Sequence, residues 1–173
     1  MQSVPPFAEL VASCRTSAVH LETRDVYGVV DEDASFAAWA AGHRYDVDDR
    51  SSWWNSFHDT IADAVSRGVS VRRARVVSEP LSDYVRFEHS CTPQNLAAGE
   101  DVRWLPRRLA SDLLVPANDL WIFDGTLARV HLFAGDGRHV KDEMEDRPEV
   151  LKRYGEAFEG VWERAIPHAE FKV

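Results

Sequence analysis

The residues best suited to chemistry in this chain are arginines, and they are bunched. Arg73 and Arg75, then Tyr84 and Arg86, then Arg103, Trp104, Arg107 and Arg108 fall within one segment. If residues 69–77 form a strand, Arg73 and Arg75 share a face and Arg72 points the opposite way. Guanidinium groups converging at strand ends hold a phosphate or carboxylate by paired hydrogen bonds, so a small anion is the expected ligand class. The same arginines have Glu79, Asp83, Glu88 and Asp101 close by in sequence, and an internal salt-bridge network is the competing reading. Histidines and cysteines add less. His20, His43, His58, His89, His131, His139 and His168 include no pair three or four residues apart, so neither a metal nor a cofactor is expected. Cys14 and Cys91 form no CxxC pair and read as free thiols. His89 lies two residues from Cys91, a spacing that on a helix turns the side chains to different faces. Neither a Rossmann glycine pattern, a P-loop, GxSxG nor HExxH occurs.

Composition narrows the classes further. The 173 residues carry 20 Lys and Arg against 29 Asp and Glu, a formal net charge of −9. That balance argues against a domain held on DNA by bulk electrostatics. The charge is uneven, −7 over residues 1–66 and +3 over residues 67–108. A basic island in an acidic chain suits an anionic ligand or an acidic partner. No apolar run reaches membrane-spanning length. The start, Met1-Gln2-Ser3-Val4-Pro5-Pro6, lacks the basic and apolar regions of a secretory signal, so a cytoplasmic location is expected.

The elements that must position these residues follow from periodicity. Pro5-Pro6 open a first helix with Phe7, Leu10, Val11 and Cys14 on one face. Residues 18–23 alternate as a short strand, and residues 31–41 read as a helix with an acidic first turn, closed by Gly42. Ser51 or Ser52 is expected to cap a helix to Ser66, with Trp54, Phe57, Ile61 and Val65 as its stripe. Trp53-Trp54 at its start is a candidate partner surface, with one of the two rings in the core. Residues 69–77 have the β-branched density of a buried strand. Pro80 is expected to start a helix that breaks at Pro93 and ends at Gly99. Residues 102–105 form a strand, and 120–123 with 127–133 form a hairpin about Asp124-Gly125. A turn at Gly135-Asp136-Gly137 leads to a polar strand near residues 138–141, and Pro148 opens the last helix. The order predicts one α/β domain with a mixed sheet flanked by helices, helical and acidic over 1–66 and sheet-bearing over 67–173.

Two sets of residues resemble the phospholipase D superfamily. His139-Val140-Lys141, four residues and then Asp146 match its HxKx₄D signature, in which the His attacks phosphorus and the Lys neutralises phosphate charge. In that family the intervening residues are largely apolar. Here Asp142-Glu143-Met144-Glu145 read as an acidic surface stretch that would repel a phosphodiester, so the match counts as coincidental. Residues 67–77, 98–106 and 117–125 resemble the same superfamily's sheet, including the strand that carries its HxK pair and ends in Asp-Gly. On that pattern Ala117 stands at the His position, Asp119 at the Lys position, and Asp124 keeps the Asp. The resemblance implies a phospholipase-D-like sheet without its nucleophile and with its phosphate-binding charge reversed.

Residues 14–18, 21–24, 71–77, 81–88, 98–106 and 120–124 also resemble an actinobacterial family of unknown function. Its members are commonly encoded beside helix-turn-helix regulators of the Xre type and their small partner proteins. The resemblance implies a non-enzymatic regulatory or partner module; the phospholipase-D-like half implies a homodimer by analogy, and the acidic net charge leaves direct DNA binding as the weakest reading. No catalytic residue set comes with that family; the candidate ligand- or partner-binding residues, read from this chain itself, are Arg73, Arg75, Tyr84, Arg86, Arg103, Trp104 and Asp124. A phosphodiesterase or nuclease using His139, Lys141 and Asp146 is the alternative.

Overall fold

A computed structural model describes residues 4–28 and 30–173, with residues 30–33 as backbone alone. Met1–Ser3 and the acidic side chains 31–33 therefore lie outside the described residues. The elements run α1 (Phe7–Ser13), β1 (Ser17–Glu22), α2 (Val30–Ala40), α3 (Ser56–Ser66), β2 (Ser70–Val77), α4 (Asp83–Ala97) and β3 (Asp101–Pro106). Then follow β4 (Leu120–Phe123), β5 (Leu127–Phe133), β6 (His139–Glu145), α5 (Pro148–Arg164) and β7 (Ile166–Pro167). The strands make one seven-stranded sheet in the order β6-β5-β4-β1-β2-β3-β7. β1, β2 and β3 pair in parallel, and every other pair is antiparallel. Among the described residues no helix is long and apolar enough to cross a membrane.

Local chemistry explains most boundaries and corrects four expectations. Arg50–Ser52 form a 3₁₀ turn, and the cap of α3 is Asn55, whose side chain accepts from Phe57 N at 2.9 Å. His58 Nδ1 accepts from Asn55 N at 3.2 Å, so an imidazole takes the place of the usual Glu in the capping box. α4 starts at Asp83 and not at Pro80, because Ser82 Oγ accepts from Val85 N at 3.1 Å. It also runs through Pro93 without a break. A proline removes only one backbone donor, and Thr92 Oγ1 braces that turn by donating to the Glu88 carbonyl at 2.8 Å. Residues 142–145 are not a surface stretch but the body of β6, alternating into and out of the sheet. The hairpin at Asp124-Gly125 forms as expected, with both residues at positive φ, 49° and 68°.

The sheet has two unlike faces. Under α5, the side chains Leu21, Ala74, Leu105, Leu120, Phe158 and Val161 form a continuous apolar layer. Besides an aromatic cluster around Tyr27, Tyr84 and Phe87, the opposite face carries two separate apolar clusters. One, around Val11, Ile61, Val71 and Trp121, lies beneath α1 and α3; the other, around Val77, Val85, Val102 and Trp104, lies beneath α4. Between these clusters the floor is polar, and there the helices leave a cleft.

Candidate functional site

The cleft floor is built by strand alternation. His20 and Glu22 from β1, Arg73 and Arg75 from β2, Trp121 from β4 and Arg129 and His131 from β5 all line it. Parallel register sets His20 beside Arg73 and Glu22 beside Arg75. Arg73 and Arg75 are each only 7% exposed, so their charges must be matched inside the protein. Glu22 sits between them, 3.2 Å from Arg73 Nη1 and 3.0 Å from Arg75 Nε. Arg73 Nε also donates to Glu100 at 2.7 Å, Arg75 pairs with Glu88, and Asn95 Nδ2 donates to Glu100 at 2.8 Å. Burial pushes the Glu22 carboxyl up, but the Arg75 and Arg73 charges outweigh it and hold the group below its ordinary range. His20 stacks on Trp121 at 4.3 Å between ring centroids. Burial, with Arg73 and His131 adding to it, holds this imidazole well below its ordinary pKa, and so neutral.

At the β6 side, three donor side chains meet on one carboxylate. Asp142 pairs across the hairpin with His131, and its Oδ1 lies 2.7 Å from His131 Nδ1 and 2.8 Å from His139 Nε2. Its Oδ2 accepts from Arg129 Nε at 2.7 Å. Burial would raise the Asp142 carboxyl, but hydrogen bonds from His131, His139 and Arg129 hold it well below the ordinary carboxylate range. A β-bulge between Leu132 and Phe133 makes this meeting possible. Lys141 opposes Leu132 while His139 opposes Phe133, so the extra residue, Val140, turns His139 and Lys141 to opposite faces.

An aromatic wall closes the cleft toward α4. Tyr27 packs on Tyr84 and Phe133 at 5.7 and 5.5 Å between ring centroids. The Tyr27 hydroxyl donates to Asp119 Oδ2, while Asp119 Oδ1 accepts from Thr23 N at 2.9 Å and Thr23 Oγ1 at 2.8 Å. Burial is the main cause that raises both the Tyr27 phenol and the Asp119 carboxyl. The space behind this wall is a cleft of about 510 Å³ that opens to solvent, with Arg138 and His139 on its lining. It meets a second cavity of about 720 Å³ along His20, Glu22, Glu88, Arg129 and His131.

The structure scatters part of the residue set expected from sequence. Arg73, Arg75 and Tyr84 line the cleft, with both arginines bound to internal carboxylates. Arg86 lies on α4 and lines neither cavity. Arg103 is on the other face, its guanidinium 4.2 Å from the Trp162 ring centroid. Trp104 has no exposed surface and stacks on Phe171. Arg107 bonds the Val76 carbonyl at 3.1 Å and Ser78 Oγ at 3.0 Å, while Arg108 pairs with Glu79 at 2.7 Å. Asp124 lies at the start of β1, where its carboxylate accepts from Arg15 N, Thr16 N and Ser17 N at 2.8, 2.8 and 2.9 Å. Of the HxKx₄D set, only His139 faces the cleft; Lys141 pairs with Glu143 at 2.6 Å on the other face, and Asp146 is exposed beyond β6. Glu22, Arg129, His131 and Asp142 join the site only through the pairing of separate strands. The alternation of Arg129, His131 and Phe133 along β5 was the one local signal that could have found part of this set.

Residues 5–173 match the family model of DUF6879, a domain of unknown function. The chain belongs to the DUF6879 family. No protein of curated function matches it. Its fold is similar to that of TrmBL2, an archaeal chromatin protein, at 15% identity and TM-score 0.50. That match covers 91% of this chain and 47% of TrmBL2, so the DUF6879 chain spans about half the length of that relative. It is also similar to Nuc from Salmonella typhimurium, a phospholipase D family member, at 11% identity and TM-score 0.50 over 92% of this chain and 86% of that one. NucT from Helicobacter pylori matches at 11% identity and TM-score 0.49 over 92% and 87%. The DUF6879 sheet is therefore phospholipase-D-like in fold, and likenesses this distant speak to fold alone.

Proposed function

We propose that this DUF6879 domain is a non-catalytic sensor whose cleft takes a small organic anion and whose occupancy is read by a protein partner. The cleft between α4 and the β5–β6 hairpin carries this reading. Tyr27, Tyr84 and Phe133 offer a wall for an apolar or planar body, and the exposed Arg138 offers a guanidinium for a charged end. The buried arginines Arg73 and Arg75 are matched by Glu22, Glu88 and Glu100 and are not open to the ligand.

Phosphodiester chemistry of the phospholipase D kind needs an imidazole and an ammonium converging on one phosphate. His139 and Lys141 face opposite sides of the sheet, and Asp119 stands buried where the resemblance places a lysine. Both features support a sheet retained without that reaction. TrmBL2 is described as DNA-binding. In this chain the internal pairing of Arg73 and Arg75, with a net charge of −9, supports action through a partner rather than on DNA directly. A cytoplasmic helix-turn-helix regulator or small companion protein is the partner class we assign.

Native mass spectrometry of protein purified from its own host tests the reading. A co-purifying small anion, lost in Phe133→Ala and in Arg138→Ala, is the expected result. Bare wild-type protein, or hydrolysis of bis(p-nitrophenyl) phosphate that His139→Ala and Lys141→Ala both abolish, would overturn it.

A further inference from the structure

We infer that His131, His139 and Asp142 form a binding site for one divalent transition-metal ion of the zinc class, with an open coordination position facing the cleft. The donor atoms His131 Nδ1, His139 Nε2 and Asp142 Oδ1 all lie within 4.8 Å of one another. Two imidazoles and one carboxylate oxygen suit zinc, cobalt or nickel and do not suit calcium or magnesium, which take oxygen donors. Zinc bonds to such ligands at about 2.0–2.2 Å, which sets tetrahedral donors about 3.3–3.6 Å apart, so the donors now 2.7 and 2.8 Å apart must separate by roughly 0.5–0.9 Å to admit the ion.

Three features of the fold look built for this set. The bulge at Val140 brings His139 onto the face of Asp142, where an unbroken ladder would have turned it away. Arg129 holds Asp142 Oδ2, which leaves Oδ1 directed at the two imidazoles, as outer partners of metal-ligating carboxylates do. The Asp142 side chain is only 8% exposed, so a ligand carboxylate here is shielded from water. The other carboxylates around the cavity already have partners: Glu22 and Glu88 with Arg75, and Asp119 with Tyr27 and Thr23. Three protein ligands leave a fourth position, and the cavity adjoins all three. His20 lines the same cavity, and its buried Nδ1 has no hydrogen-bond partner among the described residues.

The inference goes beyond the sensor reading and does not depend on an organic ligand, because the metal alone is the probe. Tag-free protein stripped with a chelator is titrated with Zn²⁺ by calorimetry and with Co²⁺ by visible absorption. One ion per chain is expected, with the d–d bands of a four- or five-coordinate nitrogen–oxygen site. His139→Ala should weaken binding by more than the roughly 10–100-fold typical of losing an outer partner. Arg129→Lys should fall within that range, which marks Arg129 as a positioning residue. His168→Gln, a histidine outside the set, should bind as wild type does. Absence of saturable binding, a thiolate charge-transfer band, or unchanged affinity in folded His139→Ala would each overturn the assignment. His131→Gln repeats the test should His139→Ala fail to fold.

Discussion

Two histidine pairs stand on the same face of one sheet and live under opposite conditions. His131 and His139, at the β6 edge, share the Asp142 carboxylate at 2.7 and 2.8 Å and border an open cavity. His89 and His168, toward the β7 edge, lie 4.3 Å apart between ring centroids and pack against Trp104. Burial lowers the pKa of both rings of the second pair, and the charge of Arg75 adds to it, so His168 falls to about 4. The first pair has an anion to turn toward and the second has apolar surface and a cation. One residue type is thus put to ligand-ready use at one edge and to packing at the other. Glu22 stands between the two regions, because it neutralises Arg75, whose field reaches the second pair, and lines the cavity of the first.

The largest effect is expected from breaking that middle. Glu22→Gln leaves Arg73 and Arg75 short of a buried counter-charge, and should cost roughly 3–5 kcal/mol in a urea denaturation series. Retention of full stability would show that Glu88 and Glu100 suffice alone. Asp142→Asn should cost less, roughly 2–3 kcal/mol, since its Arg129 partner is partly solvated. It should also shift the His131 and His139 ring resonances in NMR while leaving those of His89 and His168 in place.

Acid titration separates the pairs next. His168 has a folded pKa of about 4, below its ordinary value, so the unfolded chain takes the proton first. Its contribution is whole above about pH 6.5 and is lost as pH falls through about 4. With the ring only partly buried, the loss is about 1–2 kcal/mol rather than the full value of the shift. His168→Gln, which keeps an acceptor for Trp104 Nε1, should flatten stability across that window. An unaltered slope would move the origin elsewhere. The smallest effect belongs to Lys141→Ala, whose surface pair with Glu143 should be worth no more than about 0.5 kcal/mol. The cleft should keep its ligand and its metal in that variant, because Lys141 lies on the other face.

Much of the fold was legible because its signals are local. The β-branched run of β2, the Asp-Gly hairpin and the apolar stripe of α5 each declare themselves within a dozen residues or so. Boundaries set by competing caps were less so: Asn55 with His58 prevails over Ser51 and Ser52 because its side chain reaches the right backbone N–H. The site was legible only in part. Arg73 and Arg75 were visible as a pair on one strand face, and so was their need for carboxylates, yet Glu22 lies 51 residues before Arg73 and meets it only through parallel register.

The chain's sequence by itself determined the α/β class, the order of strands and helices and the polarity of each face, since periodicity and turn chemistry act over a few residues. Tertiary structure alone decided which charges meet. Antiparallel register and one bulged residue put His131, His139 and Asp142 together and turned Lys141 away. A bulge reverses which face every later side chain takes, and no local pattern in the strand announces it.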